Sequence, residues 1–308
     1  MSKKYIINFI KVFTFFITII LFLWFTDPSN LLNFLLNQDT ALIVDSILLL
    51  ILSHFVYALR WSLIINFGND SNNFFKPLLN YLVALFYNSF TPANMGGDIY
   101  RIYADSTTIN NKTYIIGLVI FERLIGLIIF LGFSTLVFAN ISEFIINKSE
   151  LNNILGYILI IFVVTTFFLI IYRRYLVNLL KSMNFINDSF LVVKRSFLNK
   201  RLTLISLVIS FIGIAICVLA FNILIEANGM SIPFWTLFGI FCAIELIRTI
   251  PISYQGFGFR EGFFAFCVIS LGSWTLENAI YIAGFYYILV SFALALTGFT
   301  AFIIKNII

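Results

Sequence analysis

Two short stretches of this sequence concentrate the residue types that could hold an anion inside a membrane. The first reads Asn88-Ser89-Phe90-Thr91-Pro92-Ala93-Asn94-Met95-Gly96-Gly97-Asp98-Ile99-Tyr100-Arg101. The second reads Ile247-Arg248-Thr249-Ile250-Pro251-Ile252-Ser253-Tyr254-Gln255-Gly256-Phe257-Gly258-Phe259-Arg260. Both contain P-x4-G-x3-R, through Pro92, Gly97 and Arg101 and through Pro251, Gly256 and Arg260, with one offset of 159 residues (251 − 92, 256 − 97, 260 − 101). Proline stops an incoming helix because it lacks an N–H and clashes with the preceding turn. Gly96, Gly97, Gly256 and Gly258 allow a tight turn and close backbone approach. A helix restarting near Asp98 or Phe259 would aim unsatisfied N–H groups and its positive dipole end at the break, with Arg101 and Arg260 in its first turn. Such a turn suits a phosphate or carboxylate.

Further ionisable residues stand in apolar surroundings nearby. Glu122 and Arg123 lie in Phe121-Glu122-Arg123-Leu124, Glu245 and Arg248 share one helical face before Pro251, and Glu261 follows Arg260. Charges in lipid are costly and are as a rule functional or paired. Two readings stay open: these groups bind a ligand, or pairs of the kind Glu122–Arg101 and Glu245–Arg260 neutralise each other and lock the structure. The candidate substrate-binding set is Asn88, Pro92, Asn94, Gly97, Asp98, Arg101, Glu122, Arg123, Glu245, Arg248, Pro251, Ser253, Gly256, Gly258, Arg260 and Glu261. No catalytic constellation accompanies it. The single histidine, His54, sits mid-span among Leu and Phe and reads as a packed polar residue, so no Ser-His-Asp set can be assembled. The segment Asp27–Gln38 offers a lone Asp27 where a membrane-embedded sugar transferase would carry an acidic pair. Cys217, Cys242 and Cys267 lie in apolar runs without metal-ligand spacing and read as small buried hydrophobes. Neither a metal, nor another cofactor, nor an enzymatic activity is expected.

The elements that position these residues are membrane helices. The chain is 61% hydrophobic and 11% charged, whereas soluble domains are about 45–50% apolar and about 25% charged, so lipid is its main solvent. Apolar runs long enough to cross hydrocarbon are Ile6–Thr26, Ala41–Asn66, Tyr114–Asn140, Leu151–Tyr172, Thr203–Ile225 and Asn278–Ile304. Backbone in lipid must satisfy its own hydrogen bonds, and uninterrupted runs do so as helices. The first run is too long for a signal-peptide core and lacks a small-residue exit, so it reads as a retained span. Lys3 and Lys4, the bases crowded between Arg173 and Arg201, and Lys305 mark cytoplasmic segments. All fall on one side if six runs cross and both broken stretches re-enter. That places both termini in the cytoplasm and the chain in the cell membrane. The basic segment 173–202 reads either as an interfacial amphipathic helix touching anionic headgroups or as a loop that only sets topology.

The 159-residue offset also lays Ala41–Asn66 over the span near Lys200, and Tyr114–Asn140 over the last span. The two copies, about 41–140 and 200–304, then run in opposite directions. The expected fold is all-α: a single integral membrane domain over 1–308, with about six full transmembrane helices and two re-entrant broken-helix hairpins forming an inverted repeat. Inverted repeats with broken helices bind cargo where the breaks meet.

At these motifs the chain resembles the lysylphosphatidylglycerol synthase transmembrane family, also called flippase-like or UPF0104 membrane proteins. The matching residues are Asn88, Pro92, Gly97, Asp98 and Arg101, the Glu122-Arg123-Leu124 triplet, and Pro251, Ser253, Gly256, Gly258, Arg260 and Glu261. The resemblance implies a membrane domain that moves aminoacylated phosphatidylglycerol between leaflets, or one that accompanies polyprenyl-phosphate glycosyltransferases. The partners it implies are lipids with anionic headgroups, a glycosyltransferase or other lipid-modifying enzyme, and a second copy of the chain; nucleic acid is not among them. The large soluble aminoacyltransferase domain of the synthases has no counterpart in this sequence, so the resemblance does not extend to the synthase reaction.

Overall fold

The computed structural model describes residues 34, 36–67, 74–89, 91, 95–145, 184–249, 256–271 and 274–307. Within them lie nine helices and no strand: α1 (Thr40–Asn66), α2 (Phe75–Asn88), α3 (Met95–Ile109), α4 (Lys112–Ile145), α5 (Asn184–Leu198), α6 (Lys200–Ala227), α7 (Phe234–Thr249), α8 (Phe259–Ser270) and α9 (Leu276–Ile307). The helices α1, α4, α6 and α9 are long and apolar enough to cross a membrane, which matches four of the six expected spans. The other two, Ile6–Thr26 and Leu151–Tyr172, lie outside the described residues.

The repeat is visible in both order and packing. Helices α1 to α4 begin at residues 40, 75, 95 and 112, and α6 to α9 at 200, 234, 259 and 276. Even the first cap recurs: the side chain of Asp39 accepts from the Ala41 N–H, and that of Asn199 from the Leu202 N–H. The packing is unchanged when the two halves are exchanged. Helix α2 packs on α9 as α7 packs on α4; α9 meets α1 as α4 meets α6; α1 lies against its own equivalent, α6.

The α1–α6 pair runs antiparallel, so the repeat is inverted. Moving up α1, Ser46 donates to the Ala220 carbonyl, the Tyr57 ring rests on Gly213, and Arg60 donates to Ser210. At Gly213 an added Cβ would come within 2.5 Å of the Tyr57 ring, so only glycine lets the two helices approach this closely.

Short helices fill the space between the spans. Helices α2 and α3, and α7 and α8, are the expected half-helices on either side of each break. Helix α5 covers the described part of the basic segment. Ser189 donates to the Thr113 carbonyl at 3.1 Å, and Val192 packs on Gly117, so α5 is held against α4. Its outer side carries Phe190, Leu191 and Leu198 beside Lys194 and Arg195, all exposed. An exposed face that mixes apolar and basic side chains is what the interfacial reading of this segment requires.

Candidate functional site

The two breaks are built differently. At the first, α2 ends at Asn88 and α3 begins at Met95. The N–H of Gly96 donates to Thr91 Oγ at 2.9 Å, and that of Gly97 to Asn88 Oδ1 at 2.7 Å. The dipole end of α3 is therefore occupied by the protein's own side chains and does not face a ligand with open N–H groups. Because α3 starts at Met95, Arg101 stands in its second turn, not its first. At the second break α8 begins at Phe259 as expected. Gly256 and Gly258 take φ of 78° and 84°, and the Glu261 carboxylate accepts the Gly258 N–H at 2.7 Å. Here too an acid of the chain fills the place expected for a bound anion. Pro92, Asn94, Pro251 and Ser253 lie outside the described residues.

Arg101 is the centre of a chain of alternating charges. Arg60 donates from Nη2 to Glu122 Oε1 at 2.6 Å, and Arg101 from Nη1 to Glu122 Oε2 at 2.5 Å. Arg101 Nη2 donates to Asp98 Oδ1 at 2.5 Å, and Arg123 donates from Nε to Asp98 Oδ2 at 2.5 Å. The series Arg60–Glu122–Arg101–Asp98–Arg123 joins α1, α4 and α3, and Arg60 extends it to Ser210 on α6 at 2.5 Å. Arg60, Glu122 and Arg101 are buried and Asp98 is partly buried, whereas the Arg123 side chain is 44% exposed. The Arg101 guanidinium also lies over the rings of Trp61 and Tyr81, at 4.4 and 4.8 Å. Charges this far from water persist because each is paired and hydrogen-bonded.

A polar network backs this assembly. Trp61 Nε1 donates to Asp105 at 2.9 Å and Asn80 donates to the other Asp105 oxygen at 2.6 Å. Lys305, from the far end of α9, donates to Asn80 Oδ1 at 2.6 Å and to the Tyr100 hydroxyl at 2.7 Å.

The second break has looser pairing. Arg248 donates through Nη1 alone to both oxygens of Glu245, at 3.1 and 3.0 Å. Arg260 lies 3.9 Å over the Tyr287 ring, and its contact with Glu261 is 3.6 Å, beyond hydrogen-bond length. Among the described residues, Arg260 Nε, Glu261 Oε1 and the Tyr287 hydroxyl are buried without a hydrogen-bond partner. Of the two pairings considered from the sequence, Glu122–Arg101 forms. Glu245 pairs instead with Arg248, three residues on along the same helix, because that side chain reaches it without crossing between elements.

A cavity of about 320 Å³ opens between the repeats and collects most of these groups. Asn88, Asp98, Arg101, Glu122 and Arg123 line it from one half, and Glu245 and Arg248 from the other. Gly97, Gly256, Gly258, Arg260 and Glu261 are not part of the lining; Arg260 stands against Tyr287, which is. Four arginines, counting Arg60, face three carboxylates across this space, so it carries an excess of positive charge. Leu50, Leu127, Phe130, Phe241, Val290 and Leu294 line it as well. A site of this make-up accommodates an anionic group continuous with a hydrophobic one. Among the described residues no cluster of metal-ligating side chains occurs.

Sequence reasoning missed Arg60, Tyr57, Tyr81 and Asp105. Arg60 had a readable signal, being an arginine inside an apolar span. The two tyrosines had none, since aromatic residues are ordinary throughout this chain.

Residues 9–298 match the family described as lysylphosphatidylglycerol synthase TM region. The chain belongs to this family. A UPF0104 membrane protein of Pyrococcus horikoshii is 25% identical over 139 residues, which is 44% of this chain and 40% of the length of that relative. No solved structure matches. Family, helices and spans together make this a multi-pass membrane protein of a lipid-related family, and the sequence-based resemblance holds.

Proposed function

We propose that this protein carries an anionic-headgroup lipid across the cell membrane, with both termini in the cytoplasm. The candidate cargoes are an aminoacyl-phosphatidylglycerol and a polyprenyl-phosphate-linked glycolipid. The observation that carries the reading is the cavity between two inverted halves, which brings four arginines and a set of apolar side chains to one space. Arg248 is the best-placed ligand for a phosphate. It lines the cavity and spends only one nitrogen on Glu245. Arg123, at the exposed end of the charge series, closes around the same group. Arg101 and Arg60 hold Glu122 in place and keep the local potential positive. The headgroup competes with Glu245 and Asp98 for their arginines, so binding loosens contacts within each half, and rocking of the repeats follows. The apolar chains stay in lipid throughout. No step requires a cofactor or a covalent intermediate.

Gly126 supplies the test. It lines the cavity one turn beyond Glu122, and a Cβ placed there would meet nothing nearer than the Phe130 ring, at 4.0 Å. Gly132, on the same helix, is exposed, is not part of the lining and has nothing within 4 Å. Gly126→Trp puts bulk into the cavity from a position where the new Cβ has no close neighbour, and Gly132→Trp adds the same bulk outside it. In proteoliposomes, translocation of the cargo lipid should stop in Gly126→Trp and persist in Gly132→Trp, with similar thermal midpoints. Undiminished translocation by Gly126→Trp would remove the cavity from the route. The family resemblance also allows a non-transporting partner of a lipid-modifying or glycosyltransferase enzyme, working through the exposed face of α5; that role would survive Gly126→Trp and fail when α5 loses its bases.

A further inference from the structure

His54 is the group in the cavity that the charge series leaves unexplained. It stands on the α1 stripe Leu50, Ser53, His54, Tyr57 and Arg60, all of which line the cavity. Its side chain is inside the protein, with 6% of the residue exposed. Arg60 lies six residues further along α1, about 9 Å along the helix axis.

The hydrogen bonds decide which nitrogen is which. Thr297 donates its hydroxyl to the Ala293 carbonyl one turn back on α9. Its single proton is thereby used, so at its contact with His54 Nδ1, 3.1 Å away, Thr297 Oγ accepts. Nδ1 therefore carries the imidazole proton, and in the neutral ring Nε2 is a bare lone pair. Among the described residues Nε2 has no hydrogen-bond partner, and it is not one of the fully buried unpartnered atoms. A packed structural histidine would have both nitrogens satisfied. This one is anchored through one and offers the other to the cavity.

We infer that His54 Nε2 is an acceptor that reads a hydrogen-bond donor, a hydroxyl or an ammonium, on the headgroup of an anionic lipid held at Arg248 and Arg123. The inference rests on the lipid-carrier reading above and adds to it a chemical class: a headgroup with a donor as well as a negative charge. The neighbouring polar groups suit that division of labour. Ser53 and Thr249 both donate to carbonyls of their own helices, at 2.7 and 2.6 Å. With their protons used in this way, neither hydroxyl is needed as a donor in the cavity, where the arginines already donate.

Two substitutions separate the anchoring nitrogen from the reading one. Asparagine places an N–H near the position of Nδ1 and nothing at Nε2, whereas glutamine reaches the position of Nε2. The probes are three lipids of equal acyl composition and equal net charge: phosphatidylglycerol with hydroxyl donors, phosphatidylserine with an ammonium donor, and phosphatidylethanol with none. Binding of each to the purified full chain is measured by native mass spectrometry in wild type, His54→Asn and His54→Gln.

The wild type should bind phosphatidylglycerol or phosphatidylserine about five- to tenfold tighter than phosphatidylethanol, as one ligand hydrogen bond of ordinary strength dictates. Which of the two is preferred names the donor. His54→Asn should erase the preference while leaving phosphatidylethanol binding unchanged, and His54→Gln should keep part of it. If wild type binds all three alike, or if His54→Asn retains the preference, His54 reads no donor and the inference falls while the carrier reading stands. If no lipid binds the wild type above a zwitterionic control, both fall.

Discussion

The two helix breaks share a sequence pattern and a place in the fold, yet they have opposite electrostatic characters. At the first, five charges alternate in sign, each inner one doubly bonded, and Arg101 is gripped between two rings. At the second, Arg260 stacks on one ring and leaves Nε unpartnered among the described residues, and Arg248 uses a single nitrogen. The repeat supplied the arginine to both halves. What differs is the acid available from the next span: Glu122 on α4 has Tyr281 as its counterpart at the 159-residue offset on α9. A largely saturated half, whose charge series leaves over Arg60 Nε among the described residues, and a less saturated half suggest a rigid wall and a responsive one, with the ligand met by the side that has more bonding capacity to spare.

The strongest way to break that contrast is to neutralise the central acid of each half. Glu122→Gln leaves Arg60 and Arg101 facing each other in a dry site, and removing one partner of a buried charge set costs about 3–5 kcal/mol. Glu245→Gln leaves one arginine with access to the cavity, and should cost about 1–2 kcal/mol. Thermal midpoints of the two variants in detergent measure the difference. Equal losses would mean that the halves are equally locked.

A smaller effect separates the glycines of the two breaks. At Gly97 a Cβ would run into the Ala84 carbonyl oxygen at 2.6 Å, so Gly97→Ala must push α2 from α3, at about 1–3 kcal/mol. At Gly256 the obstacle is the backbone, with φ of 78°, and Gly256→Ala should cost about 1–2 kcal/mol. Asparagine tolerates that φ better than alanine. Gly256→Asn should therefore recover stability relative to Gly256→Ala, whereas Gly97→Asn should be worse than Gly97→Ala. The same melting measurement reads both.

How far the sequence reached follows the same division. Spans, breaks and repeat were legible because lipid imposes long apolar runs and because Pro, Gly and Arg recur at a fixed offset. The Glu122–Arg101 pair was legible because charge in lipid demands a partner. Two features were hidden. The start of α3 at Met95 depends on Thr91 and Asn88 capping it, which requires a folded-back turn that spacing does not reveal. The place of Arg260 against the ring of Tyr287, a cavity-lining residue, was the second, since nothing in P-x4-G-x3-R tells which way the guanidinium turns.

The smallest expected effect tests the unsaturated half most directly. The Tyr287 hydroxyl is buried without a partner among the described residues, while its ring supports Arg260 at 3.9 Å. If the ring alone matters, Tyr287→Phe removes only an unsatisfied polar group and changes stability by less than about 0.5 kcal/mol, with a gain as acceptable as a loss. Tyr287→Leu keeps an apolar side chain but removes the aromatic face under the cation, which should cost about 1–2 kcal/mol. A loss in Tyr287→Phe as large as in Tyr287→Leu would show that the hydroxyl holds something in the native membrane. The second half would then be saturated by a ligand or water where the first is saturated by Glu122, and the contrast between the two halves would be one of partner and not of completeness.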